Sequence, residues 1–163
     1  MGAESWAGGD FQQPPRSDGG VALCGACRKT GVCWLGLTTE RLDDSGVAHF
    51  EIVCPAEHEG GPGVAHGGWT AGVMDEVLGH VPILHKRMSV TGTLTIRFER
   101  PVPIGRALDA RSWIERRNRR KWHIAGEIAL QSSGAILARA QGIFVLREAK
   151  THFGAFERWL ADQ

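Results

Sequence analysis

The chain has 163 residues, 42% of them hydrophobic and 23% charged, and a formal net charge of +1. This length and composition are typical of one globular domain with a sizeable core. The balanced charge gives no indication of a nucleic-acid or membrane partner, and no apolar run approaches the roughly 18 residues of a membrane span.

Residues 1–20 are rich in glycine, proline and polar residues, a composition that favours a flexible tail. They lack the basic start and apolar stretch of a signal peptide, so we expect a cytoplasmic protein. We divide the chain into this tail, one folded domain over residues 21–150 and a short C-terminal helix over residues 151–163.

Four cysteines fall in the first third of the chain: Cys24, Cys27, Cys33 and Cys54. A Cys-x2-Cys pair with a third Cys six residues later suggests a zinc site, but a clean second pair is missing. Reduced thiols are the default in a cytoplasmic protein. We expect neither a metal nor a cofactor, although the spacing alone leaves zinc open.

Two strands precede the most distinctive stretch of the chain. The first is predicted over residues 32–42, a turn of hairpin type follows at residues 43–46, and the second strand covers residues 47–53. Residues 55–65 are predicted to be a loop, in which several glycines allow the backbone to approach a ligand closely.

The loop leads into an apolar helix that begins at the sequence His66-Gly67-Gly68 and is predicted to end near Gly79-His80, before Pro82. At helical spacing, one narrow stripe holds Gly68, Gly72, Asp75 and Gly79. Each glycine costs roughly 0.5–1 kcal/mol relative to alanine, which favours close approach of another backbone. A carboxylate within such a stripe is expected to be partly desolvated. The simpler alternative is a helix packed on a sheet, with Asp75 reaching solvent.

Four strands are predicted after the helix. They cover residues 88–99, 106–116, 122–131 and 135–147, and the first shows strict alternation, with Leu94, Ile96 and Phe98 on one face. Thr151 is a candidate cap for the terminal helix. One helix followed by consecutive antiparallel strands predicts an α+β fold.

The motifs in combination resemble a known family. His66-Gly67-Gly68 followed by Asp75, a strand ending in Arg100-Pro101, and a last hairpin over residues 133–142 are similar to the hotdog-fold acyl-CoA thioesterases of the phenylacetyl-CoA/4-hydroxybenzoyl-CoA type. The likeness covers roughly residues 24–147. Family members often carry a polar residue such as Asn six positions before the motif histidine, where this chain has Gly60.

The resemblance implies a long central helix wrapped by an antiparallel sheet of about five to six strands. A sheet edge and one side of the helix stay open in such a domain, so a symmetric dimer, or a dimer of dimers, is the natural way to cover both. The active site would then lie at the subunit interface.

The resemblance also assigns roles to residues, with an acyl-CoA thioester as substrate. The Gly67 N–H at the helix N-terminus would polarise the thioester carbonyl. Asp75 would act as general base or as nucleophile, and the sequence leaves both open. His66 would orient the helix start or cap it, and Thr91 matches a hydroxyl that family members contribute from a neighbouring subunit. The residues expected to contact substrate are Gly68, Trp69 and Met74, although core packing explains Trp69 and Met74 equally well.

Five basic residues lie within six positions of one predicted turn: Arg116, Arg117, Arg119, Arg120 and Lys121. The simplest interpretation is a solvated hairpin. In an enzyme acting on CoA thioesters, Arg119, Arg120 and Lys121 would meet the nucleotide phosphates. A nucleic-acid site is disfavoured because the rest of the chain is not basic and carries no recognition motif.

Three functions fit the sequence. The first is hydrolysis of an acyl-CoA or related thioester. The second is a non-catalytic hotdog protein that binds acyl thioesters, because a fold does not fix its function. The third is a hotdog hydratase or dehydratase. It is disfavoured because those relatives pair a catalytic histidine with an acid in a different arrangement, and we expect the helix here to carry an acid without a histidine one turn away. The acyl group, the carrier, and dimer against tetramer are left open.

Overall fold

The computed structural model describes residues 13–163. Six antiparallel strands form the main sheet in the order β1-β2-β6-β7-β8-β5. Their bounds are Leu37–Leu42 (β1), Ala48–Val53 (β2), Ser89–Phe98 (β5), Ala107–Asn118 (β6), Lys121–Leu130 (β7) and Ile136–Leu146 (β8). Two short strands, Glu59–Gly61 (β3) and Val64–Ala65 (β4), form a separate hairpin.

The central helix, α1, spans Gly67–Leu84 and packs against the main sheet. Its contact with β7 is close: a Cβ atom at Gly126 would lie 2.7 Å from Leu78 Cδ1 and 2.9 Å from the carbonyl oxygen of Arg111. The buried Ser112 hydroxyl of β6 donates to the Val77 carbonyl of the helix at 2.7 Å. One long helix on a six-stranded antiparallel sheet confirms the predicted α+β hotdog arrangement.

The predicted end of the helix near Gly79-His80 is wrong, because α1 continues through Pro82 to Leu84. Val81 and Pro82 are buried in the structure, so another helical turn keeps apolar surface in the core. The chain then leaves the helix through Lys86, whose φ of 58° lies in the left-handed region. Local propensity is overridden here by tertiary packing.

Other boundaries also differ from the predictions. The first strand begins at Leu37, because a 3-10 turn at Cys27–Lys29 and irregular chain precede it. The predicted loop over residues 55–65 contains the β3–β4 hairpin. The terminal helix α2 spans Ala149–Ala161 and is capped by the Glu148 carboxylate, which accepts from the backbone N–H groups of Lys150 and Thr151.

The folded domain begins before residue 21. Residues 15–23 form a small hairpin, closed by an isolated bridge between Arg16 and Ala22 and by a hydrogen bond from the Leu23 N–H to the Pro15 carbonyl. Its residues 21–23 are almost fully buried. The predicted boundary between tail and domain therefore moves toward the N-terminus, and residues 1–12 lie outside the described part of the chain.

Two strands, β1 and β5, are the edges of the main sheet. Phe98, at the end of β5, has 57% of its surface exposed, whereas Leu94 and Ile96 on the same predicted face are partly buried. The helix α2 also exposes apolar side chains, namely Phe153, Phe156, Trp159 and Leu160. None of the helices described here has the length and apolar character needed to cross a membrane.

Candidate active site

The carboxylate of Asp75 is held at the junction of α1 and β5. Asp75 is half-buried, and the Thr91 hydroxyl donates a hydrogen bond to its Oδ1 at 2.7 Å. The resemblance matched Thr91 to a hydroxyl supplied by a neighbouring subunit, whereas here the hydroxyl contacts the carboxylate of its own chain. Thr91 itself is exposed at the sheet edge. The arrangement fixes one carboxylate oxygen and leaves the other for a water molecule or a substrate.

The start of α1 presents a free backbone donor. His66 has extended geometry (φ −60°, ψ 140°), and its Nδ1 accepts from the Gly68 N–H at 2.9 Å, so the motif histidine is the N-cap of the helix. Within residues 13–163 the N–H of Gly67 has no acceptor. Gly67 and Phe98 line a surface cavity of about 340 Å³. The helix dipole and this unpaired N–H favour an oxygen that carries negative charge.

The two predicted catalytic groups are far apart in one chain. Gly67 and Asp75 are eight residues apart on a helix that rises about 1.5 Å per residue, which separates them by about 12 Å. They also line different cavities. One small carbonyl group therefore cannot contact both groups of the same chain.

Asp75 opens into a cavity of about 200 Å³, which we call the Asp75 cavity. Its lining comes from the N-terminal hairpin region, from α1, from β5 and from β8: Pro14, Ala22, Cys24, Asp75, Glu76, Gly79, His80, Ile83, Ser89, Thr91 and Phe144. Gly79 leaves this space open, since a Cβ there would meet Phe144 at 3.5 Å. The cavity is thus partly apolar, with carboxylates along one side.

A buried charge network lies beside this cavity. The Glu40 side chain is fully buried and accepts from Arg16 Nη1 at 2.7 Å, from the Ala22 N–H at 2.9 Å and from His80 Nδ1 at 2.5 Å. The other ring nitrogen of His80 donates to Glu76 at 3.0 Å. Positive and negative groups alternate along Arg16–Glu40–His80–Glu76, so the network is neutral when all four are charged.

Burial disfavours the charged forms of Glu40 and His80, but the hydrogen bonds and charges around the two groups outweigh this effect. Hydrogen bonds and charge from Glu40 and Glu76 raise the pKa of His80 to about 9 despite its burial. Burial alone would raise the pKa of Glu40, but the hydrogen bond and charge of His80, the Ala22 N–H and Arg16 together hold that pKa below its usual value. Glu40 is therefore a carboxylate and His80 an imidazolium at neutral pH.

The sequence reasoning missed this network. Glu40 and His80 are 40 residues apart, so no local pattern connects them. The contact between Glu76 and His80 could have been predicted, because the two residues are separated by one helical turn. The prediction that this helix carries an acid without a histidine one turn away is therefore wrong.

The structure separates the remaining predicted substrate contacts from both cavities. Trp69 and Met74 are buried in the core, and the Trp69 indole N–H donates to the Leu35 carbonyl at 3.2 Å. Gly68 is exposed beside His66 and donates to it. No backbone approaches closely at Gly72, where a Cβ would meet only Leu35 at 3.8 Å. The glycine stripe leaves open space instead of a close backbone contact.

Gly60 departs from the family pattern for a steric reason. A Cβ at this position would lie 2.7 Å from His66 Cα, so the hairpin of β3 and β4 leaves no room for a side chain. The His66 backbone is held there by its N–H, which donates to the His58 carbonyl at 2.7 Å. An Asn at residue 60 would require the helix start to move.

The basic turn connects β6 and β7 at the same end of the sheet as Thr91. Trp122, next to the turn, pairs with Phe144, and Phe144 pairs with Thr91. Trp122 and Thr91 are therefore separated by two strand spacings, about 10 Å. Arg117 lies over the Trp122 ring at 4.6 Å, whereas Arg119 and Arg120 are exposed.

All four cysteines are free thiols, and only Cys24 is exposed. Burial raises the pKa of Cys27 and that of Cys54 to about 11 each, which disfavours the thiolate that a metal would need. In the part of the chain that the structure describes, no three His, Cys, Asp or Glu side chains are grouped to hold a metal ion.

Residues 62–136 match the model of the family described as the Thioesterase superfamily. No curated protein matches the sequence. A crystallised thioesterase superfamily protein is 26% identical with a TM-score of 0.60, over 65% of this chain and 52% of its own, so this chain spans about half of that protein.

Two further solved structures share the fold. The PaaI protein of E. coli, from the phenylacetic acid degradation operon, is 23% identical with a TM-score of 0.62, over 74% of this chain and 87% of its own. A hypothetical thioesterase protein from Streptococcus pneumoniae, crystallised with coenzyme A, is 18% identical with a TM-score of 0.61, over 68% of this chain and 87% of its own.

The buried network predicts a specific pH dependence of stability. The pKa of His80 rises from 6.5 to about 9 on folding, so its stabilisation is fully present below pH 6.5 and is lost as the pH rises through about 9. His80→Gln removes the charge from a buried pair and should lower the free energy of unfolding by about 3–5 kcal/mol at pH 6. The difference from wild type should shrink markedly at pH 9.5, as measured by urea denaturation.

His49 provides the matched control, because its pair with Asp43 at 2.7 Å is about one third exposed. His49→Gln should cost no more than about 1 kcal/mol. A loss at His80→Gln that stays the same from pH 6 to pH 9.5 would contradict the assignment of His80 as a buried imidazolium.

Proposed function

We propose that this chain, whose residues 62–136 match the thioesterase superfamily, hydrolyses an acyl-CoA thioester to a free acid and the CoA thiol. The observation that carries this proposal is the pair of groups on α1: an unpaired Gly67 N–H at its start and a carboxylate, Asp75, fixed by Thr91 at the mouth of a cavity. An electrophile activator and a base are the two groups that thioester hydrolysis requires.

The Gly67 N–H is suited to polarise the thioester carbonyl. Negative charge develops on the carbonyl oxygen as the tetrahedral intermediate forms, and an N–H at the positive end of a helix stabilises it. Because residue 67 has no side chain, the thioester can approach this N–H closely. The His66 side chain fixes the next N–H as the helix cap, so its role is to shape the donor and not to transfer a proton.

Asp75 supplies the second function. As a general base it takes a proton from water while the water oxygen attacks the carbonyl carbon; the C–S bond then breaks, and the proton passes from Asp75 to the leaving thiolate, which restores the carboxylate. As a nucleophile it attacks the carbonyl carbon, and the C–S bond breaks to release the CoA thiolate and leave an anhydride, which water hydrolyses in a second step to the free acid and the Asp75 carboxylate. Thr91 holds Oδ1 in both routes and leaves Oδ2 to react.

We propose that the complete site forms between two copies of the chain. The helix separation of about 12 Å prevents Gly67 and Asp75 of one chain from contacting one carbonyl. The exposed sheet edge β5 carries Thr91 and Phe98, and an antiparallel partner at this edge places the helix start of one copy against Asp75 of the other. A dimer, or a dimer of dimers, would also exclude water from groups that one copy leaves exposed.

The basic turn is assigned to the CoA phosphates. The Streptococcus pneumoniae neighbour was crystallised with coenzyme A, and the turn in this chain extends the sheet at the Thr91 end. Arg119, Arg120 and Lys121 carry three exposed positive charges there. Guanidinium groups bind phosphate oxygens through paired hydrogen bonds.

The pair Glu76 and His80 does not favour a hydratase or dehydratase. Both ring nitrogens of His80 donate to carboxylates, so neither is available to accept a proton from a substrate. The imidazolium is moreover the stable form in this network. The network is structural, and Asp75 remains the group that faces substrate.

Replacing the carboxylate tests the hydrolase directly. Asp75→Asn keeps the shape and the Thr91 contact but removes the base, so free-thiol release from acyl-CoA substrates should fall a hundredfold or more in kcat. Circular dichroism would verify that both proteins are folded. Wild type that binds an acyl-CoA without any turnover would instead identify a binding protein.

A mixed dimer tests whether the site forms between two copies. Gly67→Pro removes the N–H at the first helical position, where proline is tolerated and the preceding extended His66 is compatible with it. Gly67→Pro and Asp75→Asn should each be inactive alone. A mixed dimer, isolated through two different tags, should recover about half of wild-type activity, because one of its two sites is intact.

Gly67→Ala is the matched control for the mixed dimer. It keeps the N–H, and its Cβ would lie 3.9 Å from the nearest atom, Phe98 Cε1. Its activity should stay within about tenfold of wild type, since the donor is preserved. If the mixed dimer is as inactive as both parent variants, the Gly67 N–H and Asp75 of a working site belong to the same chain. This result would overturn the shared site.

The basic turn predicts a change in KM with little change in kcat. Replacing Arg119, Arg120 and Lys121 together by Gln removes charge far from the reacting carbonyl, so KM should rise about tenfold or more and become less sensitive to salt. A simple N-acetylcysteamine thioester, which lacks the nucleotide, should be hydrolysed equally by variant and wild type. An unchanged KM for acyl-CoA would show that the turn is solvated and does not contact the CoA phosphates.

A further inference from the structure

The N-terminal hairpin is built into the wall of the Asp75 cavity. Ala22 lines this cavity, as do Pro14 and Cys24 on either side of the hairpin. The opposite walls come from α1 and from Phe144 of β8. The hairpin is packed and not draped over the surface, since Val21 and Leu23 belong to the hydrophobic core.

The charge network fixes the hairpin to the central helix. Arg16 and the Ala22 N–H both donate to the fully buried Glu40 carboxylate, and Glu40 accepts from His80 of the helix. A buried carboxylate without its partners is strongly destabilising, so movement of the hairpin away from Glu40 is disfavoured. The wall is therefore held in place by ion pairs as well as by apolar contact.

The volume of the cavity limits what it can hold. An engineered cavity of about 150 Å³ accommodates benzene, which has six heavy atoms. The Asp75 cavity, at about 200 Å³, therefore accommodates an acyl chain of roughly six to eight carbons. Gly79 contributes to this space, because a methyl group there would occupy it and contact Phe144 at 3.5 Å.

We propose that the Asp75 cavity is the acyl pocket and that the hairpin over residues 15–23, fixed by Arg16 and Glu40, closes it, so that the enzyme selects acyl groups of no more than about eight carbons. This inference rests on the proposed function and adds the substrate class and the residues that set it. Gly79 defines the depth of the pocket, and the contact between Arg16 and Glu40 keeps its end closed. A longer acyl chain extends beyond the cavity unless the hairpin leaves the helix.

The test is a chain-length profile of kcat/KM with straight-chain acyl-CoAs from acetyl to dodecanoyl. For wild type we expect a maximum at eight carbons or fewer and at least a hundredfold lower value for dodecanoyl-CoA. Gly79→Val places three carbons in the pocket, so the maximum should shift to acyl chains shorter by about two to three carbons. Arg16→Gln releases the hairpin, so the ratio of dodecanoyl to hexanoyl activity should rise at least tenfold.

Two control variants separate these effects from general damage. Gly72→Ala adds a methyl group to the same helix but does not line the cavity, and its Cβ would meet only Leu35 at 3.8 Å. Arg106→Gln removes an exposed charge outside the network. Both should keep the wild-type chain-length profile, whatever their effect on expression or stability.

Each outcome decides a different part of the inference. Equal kcat/KM for hexanoyl-CoA and dodecanoyl-CoA in wild type would overturn it. A shift with Gly79→Val but not with Arg16→Gln would keep the pocket and overturn the role of the hairpin. Absence of turnover on every acyl-CoA would overturn the hydrolase instead; the same length series of non-hydrolysable thioether analogues, measured by calorimetry, would then show whether affinity falls beyond eight carbons.

Discussion

Burial of one side of α1 against the sheet is the constraint on which the rest of the structure depends. Five of its side chains are almost inaccessible: Val73, Met74, Val77, Leu78 and Val81. Each contributes roughly 1.5–3 kcal/mol relative to exposure, so rotation of the helix about its axis is strongly disfavoured. Once the rotation is fixed, Asp75 lies at the edge of the core beside β5, where Thr91 reaches it. The position of the carboxylate is thus a consequence of core packing.

The same helix covers a second, electrostatic core. Burying Glu40 and His80 costs desolvation energy, and pairs of this kind are often replaceable by apolar residues without loss of stability. Ion pairs nevertheless require specific partners in specific positions, which apolar contacts do not. Here the partners come from three separate segments, since Arg16 lies in the hairpin, Glu40 in β1 and His80 in α1. We infer that the network is retained because it specifies where the hairpin lies.

Patterns with a short period predicted most of the fold, and longer-range interactions decided the rest. Alternation and turn residues placed the five strands after the first within a residue or two of their observed bounds. The end of α1 was wrong because Gly79 and Pro82 were weighed by local propensity, whereas burial of Val81 decides that turn. For Trp69 and Met74 the sequence allowed either substrate contact or core packing, and the rotation of the helix places both in the core.

In the candidate site, too, short-range patterns predicted some residues and long-range contacts determine the others. Asp75 was found from spacing within one helix, and the family motif at the start of that helix brought in His66 and Gly67; their local geometry follows from the helix alone. The contact of Asp75 with Thr91 joins two elements through a turn, and a family resemblance, not periodicity, brought the hydroxyl to attention. Glu40 belongs to neither class, because its partners are 18 to 40 residues away in sequence and only the folded chain brings them together.

The rigidity of α1 also connects catalysis with assembly. A straight helix cannot shorten the distance of about 12 Å between its first N–H and its third turn, so flexibility of one chain does not bring Gly67 to Asp75. A two-fold axis would form two such sites, because each contact from one copy to the other is repeated with the two copies exchanged. In one copy, Gly67 and Thr91 are exposed and Asp75 is half-buried, a state that leaves a thioester accessible to bulk water. Under the proposed shared site, association of two copies would cover these groups at the moment that it completes the pair, and the two candidate groups of one chain would belong to different sites.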